Sequence, residues 1–351
     1  MFLALLLAVS AELASSGLVP GKFEVFSWGG NKTTVKQMDW SRLTMVKLNG
    51  PDPEAVDYVH LQGGRAIMTV HTPALNASAA EITAWATESA RKMKAAEMDG
   101  IATDFEDPIA AGSFEQKVFT RMHAELARAV HAKAGLVIIC VAWSPDGIDG
   151  RDYDYLGLSK VVDAFFVMGY DLASQLWDRC EASSNAGYPK VKHGLLRFLA
   201  AGIPAPKMIL GVPWYGHLYP CTEAMSLTER TCQIEPAPFR GCPCSDAKAP
   251  SLAYSRIRQA LLRNETSGRV WDPVQQSPYA NFRHDGRVWQ LWYDDAESLA
   301  AKYELARSLG LGGAGMYRGD FIAYDSRAAR QDAADMWAAL GGAAASRLTL
   351  V

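Results

Sequence analysis

The chain has 351 residues, 49% apolar and 21% charged, with a formal net charge of −3. Such a balance describes an ordinary globular protein and gives no electrostatic reason to expect nucleic-acid binding. The length allows one large α/β domain or two smaller ones.

In chain order, the first feature is Met1–Ala11 (MFLALLLAVSA), an apolar run ending in small residues. It resembles the apolar part and cleavage site of a secretory signal, although no Lys or Arg precedes it. We read residues 1–20 as a leader. The run is too short to span a bilayer, and no later segment reaches the roughly 18 apolar residues required, so no membrane partner is expected.

Short apolar, β-rich runs then recur at 23–28, 43–48, 65–70, 100–106, 136–143, 163–170, 208–213 and 313–317. Most are near-continuous rather than alternating, as expected of parallel strands buried on both faces. Helical spacing lies between several of them. Ile82, Trp85, Ser89 and Met93 recur at three to four residues, as do Phe114, Val118, Met122, Leu126 and Val130. Further helices fit 192–201, 296–309 and 327–340. Strands alternating with helices predict a (β/α)8 TIM barrel. The chain exceeds the ~250 residues typical of that fold by about 100. The excess falls mainly within 214–295, between the seventh and eighth strands, and is expected to form an inserted subdomain above the barrel's C-terminal face.

The most informative stretch is Asp99-Gly100-Ile101-Ala102-Thr103-Asp104-Phe105-Glu106. On a strand, Ala102, Asp104 and Glu106 share one face. Carboxylates held together there push each other's pKa values apart, which suits a proton donor beside an ionised partner. The plainer reading is a structural ion-pair network at a strand end. In a barrel, however, catalytic groups sit at the C-terminal strand ends. Met168-Gly169-Tyr170-Asp171 and Gly211-Val212-Pro213-Trp214-Tyr215-Gly216 bring phenols, an indole and a further carboxylate to the same mouth. That mixture suits a sugar, whose rings have both apolar faces and hydroxyl edges. A metal role for Asp99, Asp104, Glu106 and Asp107 is disfavoured, because a strand scatters them and no His joins them.

Four of six cysteines (Cys221, Cys232, Cys242, Cys244) cluster among turn residues. Disulfides stapling a loop are favoured over zinc, since Cys242-Pro243-Cys244 is too close for the usual ligand gap and lacks a nearby His. Cys140 lies in an apolar run and is expected to be a buried free thiol. Asn31, Asn76 and Asn264 each begin an N-glycosylation triplet.

The fourth and sixth strands together resemble those of the family 18 glycoside hydrolases, within them the chitobiase-type members. The family's Asp-x-x-Asp-x-Asp-x-Glu is met by Asp99, Asp104 and Glu106, with Ala102 departing; its Met-x-Tyr-Asp is met by Met168, Tyr170 and Asp171. The likeness extends through 23–26, 142–145, 174–177, 211–216, 238–246 and 292–294. It implies a retaining, substrate-assisted glycosidase without metal or cofactor. Glu106 is then the acid and base, Asp104 orients the substrate's acetamide, and Tyr170 hydrogen-bonds it. Asp99, Met168, Asp171, Trp214, Tyr215, Trp292 and Tyr317 are the expected substrate contacts. The implied partner is an N-acetylglucosamine oligosaccharide, acted on by a lysosomal or secreted monomer. Three functions compete: release of the reducing-end sugar from chitobiose cores, cleavage of chitin oligomers, and sugar binding without catalysis. The family usually carries Asp or Asn at the position of Ala102 and Trp at that of Tyr317. Ala cannot hydrogen-bond Asp104, so activity is expected to be reduced but not abolished. Ala102→Asn is expected to raise kcat; an unchanged or lower kcat rejects this.

Overall fold

The computed structural model describes residues 18–222, 225–262 and 265–341. Residues 1–17 of the expected leader and Asn264 lie outside these. Asn31 and Asn76 are exposed.

The elements run β1 (Glu24–Trp28), β2 (Met45–Lys47), α1 (Pro53–Leu61), β3 (Arg65–Thr69), α2 (Ala79–Ala95), β4 (Gly100–Thr103), α3 (Phe114–His131), β5 (Leu136–Val141), α4 (Tyr155–Ser159), β6 (Ala164–Met168), α5 (Tyr188–Ala200) and β7 (Met208–Pro213). After β7 come β8 (Tyr215–Pro220), β9 (Ser251–Ala253), α6 (Tyr254–Ala260), β10 (Val270–Asp272), β11 (Ser277–His284) and β12 (Arg287–Trp292). The chain then closes with α7 (Ala296–Ser308), β13 (Gly313–Tyr317) and α8 (Arg327–Ala338). Strands β1 to β7 and β13 form a closed barrel in the order β1-β13-β7-β6-β5-β4-β3-β2, with every pairing parallel. This is a TIM barrel.

Local chemistry explains the helices that wrap it. Ser78 and Glu81 form a capping box at the start of α2, satisfying amides that have no partner within the helix. One face of α2 then buries Ile82, Ala86, Ser89, Ala90 and Met93. Helix α3 buries Val118, Met122, Leu126 and Val130 as its spacing predicts, but Phe114, in its first turn, is 67% exposed. The barrel interior is aromatic. Phe166 meets Phe26 edge-on at 5.4 Å. Gly211 on β7 and Gly315 on β13 make room for the Phe166 ring, which a side chain at either position would strike.

Between β7 and β13 the chain builds a separate antiparallel sheet, ordered β10-β11-β12-β8-β9. Its own core holds Tyr219, Cys221, Cys232, Ile234, Tyr279 and Trp292. Two disulfides tie this region, Cys221–Cys232 and Cys180–Cys244. The expected cluster is therefore only partly self-contained: Cys244 reaches back to Cys180, and Cys242 stays a buried thiol whose Sγ lies 3.2 Å from the Cys244 carbonyl. Cys140 is also buried and free.

Candidate active site

The ladder of β4 ends at Thr103, so Asp104 and Glu106 stand just beyond it rather than within the strand. The chain leaves the ladder because the following loop is claimed by the β5–α4 connection. Ile109 pairs with Arg151, and the Tyr153 hydroxyl donates to the carbonyls of Phe105 (2.8 Å) and Asp107 (3.1 Å). Alternation nonetheless persists. Phe105 packs outward on Phe119 of α3, with ring centroids 5.0 Å apart, while Asp104 and Glu106 both line one cavity.

That cavity, about 580 Å³, opens at the C-terminal end of the barrel. Such a size is within the usual range for small-molecule sites. Met168, Tyr170 and Asp171 enter from the end of β6, Tyr215 and His217 from β8, and Tyr317 from the end of β13. Tyr317, Tyr170 and Tyr215 form a triangle of rings, Tyr317 lying 5.7 and 5.9 Å from the other two, which are 6.0 Å apart, and Trp28 lies 6.1 Å from Tyr317. The result is an aromatic floor beside a wall of carboxylates.

The carboxylates are held unequally. Asp104 is wet on its cavity side but packed by protein elsewhere. That partial desolvation, reinforced by the charge of Glu106, pushes it up to about 6. The Cys140 thiol lies beside it from β5, and Ala102 beneath is fully buried. Glu106 is 55% exposed, and its Oε2 accepts from Arg151 Nη1 at 2.9 Å. Arg151 is itself buried and also donates to Asp149 Oδ2 at 2.7 Å. A fixed guanidinium of this kind sets the direction of the Glu106 carboxyl.

At the end of β6, two strands from β4, Asp171 has a positive φ of 53°, and its amide donates to Asn185 Oδ1 at 2.8 Å. Its Oδ1 accepts from the Tyr215 hydroxyl at 2.5 Å and from His217 Nε2 at 2.9 Å. Burial pushes the Tyr170 and Tyr215 hydroxyls well up, so both remain donors near neutral pH. Asp171, His217 and Asp246 are the one group among the described residues with metal-ligand spacing, their ligand atoms lying within 4.8 Å of one another. The imidazole is hydrogen-bonded to Asp171 through Nε2 and to the Ala249 carbonyl through Nδ1, while Asp246 Oδ2 lies 3.8 Å from Nε2 and has no hydrogen-bond partner among the described residues. Burial alone would lower His217. Its hydrogen bond to Asp171 and the two nearby carboxylates reverse this into a net rise. A folded-state pKa above the ordinary ~6.5 means that stability from this contact is complete below that pH and is lost as pH climbs through the raised value. His217→Gln is therefore expected to lower Tm more at pH 5.5 than at pH 8.5. Equal losses in thermal melts at the two pH values would reject the ionised bridge.

Three expected contacts lie away from the cavity. Asp99 precedes β4, at the barrel's other end, where it accepts from the Ala66 amide (2.7 Å) and pairs with His60 (2.9 Å). Trp214 is fully buried, packed edge-on to Trp337 of α8 at 4.9 Å, and its indole donates to the Tyr303 hydroxyl. Trp292 is fully buried in the core of the second sheet, where its indole donates to Gln290 at 2.8 Å and its ring stacks on Tyr279. Conversely, Arg151, His217, Asp246, Phe239 and Arg240 were not anticipated. Of these, Phe239, Arg240 and Asp246 lie in the 238–246 segment that carries the family likeness, and His217 follows Tyr215 by two residues and hence shares its strand face.

Residues 63–321 match the sequence profile of Glycosyl hydrolases family 18. The chain belongs to that family. Among curated relatives, it is 35% identical to the di-N-acetylchitobiase of Rattus norvegicus over 330 residues, covering 91% of this chain and 88% of that one. It is 34% identical to the Homo sapiens enzyme of the same name over 331 residues, covering 91% and 83%. Among solved structures, a chitinase from Chromobacterium violaceum superposes with a TM-score of 0.66 at 20% identity, covering 91% of this chain and 98% of that one. Human YKL-39, described as a pseudo-chitinase with retained chitooligosaccharide binding, superposes at 0.70 with 16% identity, covering 91% and 98%. These two structural likenesses speak to the family 18 barrel alone.

Proposed function

We propose that this family 18 chain hydrolyses the β-1,4 bond between two N-acetylglucosamine units, releasing the reducing-end sugar of free chitobiose cores. The carrying observation is the placement of Asp104 and Glu106 on one wall of a tyrosine-floored cavity, with Glu106 steered by a buried Arg151. In this reading the sugar that carries the reacting carbon lies over Tyr317. Glu106 gives its proton to the glycosidic oxygen, and Oε1 is the oxygen left for that transfer. The acetamido oxygen of the substrate closes on the anomeric carbon from the other face. Asp104 accepts from the acetamide N–H and stabilises the positive charge that spreads over the new ring. Tyr170 donates to the acetamide oxygen and aligns it for attack. Asp171 and Tyr215 hold sugar hydroxyls, with Met168 packing against the ring. Glu106, now ionised, takes a proton from water, which opens the ring from its own side and restores the original configuration.

The disulfides Cys180–Cys244 and Cys221–Cys232 favour an oxidising compartment, consistent with a lysosomal or secreted protein. Among the described residues, no helix is long and apolar enough to cross a membrane. A second reading, chitooligosaccharide binding with weakened catalysis, is favoured by one observation: Ala102 offers Asp104 no polar partner from below. Proton NMR of the first product decides between them and tests the chemistry. The β-anomer of the newly formed reducing end is expected to appear first. Initial α-anomer rejects substrate-assisted retention, and absence of turnover rejects the enzyme.

A further inference from the structure

The wall beside Glu106 is not made by the barrel. It is made by a tight hairpin of the inserted region whose tip is Phe239-Arg240-Gly241-Cys242. Phe239 and Cys242 exchange both backbone hydrogen bonds, at 3.0 and 2.9 Å. Arg240 and Gly241 between them have φ of 44° and 84°. Two successive positive φ values define the tight type I′ turn, in which Arg is a strained choice. The strain is matched by what the side chain reaches. Arg240 Nη1 donates to the carbonyls of Glu106 (2.9 Å) and Asp149 (3.0 Å), joining the hairpin to the loops after β4 and β5. Its guanidinium also lies 5.1 Å from the Phe239 ring centroid, and that ring faces the cavity.

The base of the hairpin is pinned independently. The Cys180–Cys244 disulfide holds it covalently, the Leu176 amide donates to the Cys244 carbonyl at 2.9 Å, and Ser245 Oγ donates to the Ala237 carbonyl at 2.7 Å. A turn fixed at tip and base does not swing aside for a long substrate.

We propose that this hairpin closes the leaving-group side of the cavity after a single sugar, making Phe239 and Arg240 the residues that confine cleavage to the reducing-end unit. The inference rests on the activity proposed above, since it takes Glu106 as the acid. The leaving sugar must then lie beside Glu106, where Arg240 fixes the hairpin to the Glu106 carbonyl. There it meets Phe239, whose apolar ring face suits the face of a hexose and whose bulk occupies the position of a second one.

The test uses chitotetraose carrying ¹⁸O at its reducing end, with products read by mass spectrometry. The intact chain is expected to place the label in N-acetylglucosamine. Phe239→Ala and Arg240→Ala are expected to raise the ratio of labelled disaccharide to labelled monosaccharide by about tenfold, the scale of a lost pocket contact. Cys180→Ser, which frees the base without touching the acid, is expected to shift the ratio in the same direction. Variants that keep the parent Tm and the parent ratio overturn the proposal, as does an intact chain that puts the label in disaccharide. If the intact chain leaves even free chitobiose uncut, the activity reading fails by itself, and binding then reads the hairpin. Chitobiose bearing a bulky fluorophore at its reducing end should bind Phe239→Ala at least tenfold more tightly than the parent; equal affinities overturn the closed wall.

Discussion

Glu106→Gln is expected to lower kcat on di-N-acetylchitobiose by about 10²–10⁴-fold, the usual contribution of a positioned acid and base. Gln keeps the shape of the side chain and can still meet Arg151 through its carbonyl oxygen, so the loss reports proton transfer rather than collapse of the loop. Binding of the disaccharide, measured calorimetrically, should change little. The same substitution removes the charge that helps hold Asp104 up at about 6. The Asp104 carboxyl, followed by carbon-13 NMR, should therefore titrate lower in the variant. A kcat within a few-fold of the parent would sink the assignment of Glu106, and an unmoved Asp104 would sink the coupling.

Asp104→Asn should be nearly as damaging, about 10²–10³-fold in kcat, because it removes a fixed charge aimed at developing positive charge. The amide cannot accept from the acetamide N–H without turning, and it has no net charge to offer the intermediate. A pH signature separates this from simple misfolding. The proposed mechanism uses Asp104 in its ionised form, and burial with the neighbouring Glu106 charge raises its pKa to about 6. Parent kcat/KM should thus fall as pH drops below about 6, approaching tenfold per unit, since that ratio reports groups of the free enzyme. In Asp104→Asn this limb should vanish from the residual activity. If it persists at the same pH, another group controls it.

Which parts of the site were legible follows from how far each signal travels along the chain. Asp104 and Glu106 were readable because strand alternation survives for a few residues past the end of β4, and a pair two apart carries its own geometry. The Met168, Tyr170 and Asp171 run was readable in the same way. Asp99 sits in the same motif, yet a four-residue strand separates it from Asp104. At about 3.3 Å per residue that places the two carboxylates roughly 16 Å apart, on opposite ends of the barrel. Trp214 and Trp292 illustrate a different failure. Each adjoins a cavity-lining or site-like segment, but neighbouring side chains on extended backbone face opposite ways, and both indoles turned into cores. Asp294, within a segment that carried the family likeness, is likewise committed to a fully buried ion pair with Lys302 in the middle of α7.

By itself, then, the sequence determined the barrel, its parallel strands and the placing of Asp104 and Glu106 on one face, because those depend on periodicity and on residues close in the chain. The tertiary structure alone decided what surrounds Glu106. Arg151 arrives from the β5–α4 connection, Arg240 and Phe239 from the inserted hairpin, and Asp246 from just beyond it to meet His217. The approach of Asp246 to His217 spans 29 positions of chain, and that of Arg240 to Glu106 spans 134. No local pattern encodes such a meeting; it exists only once the barrel closes and the second sheet folds over its mouth.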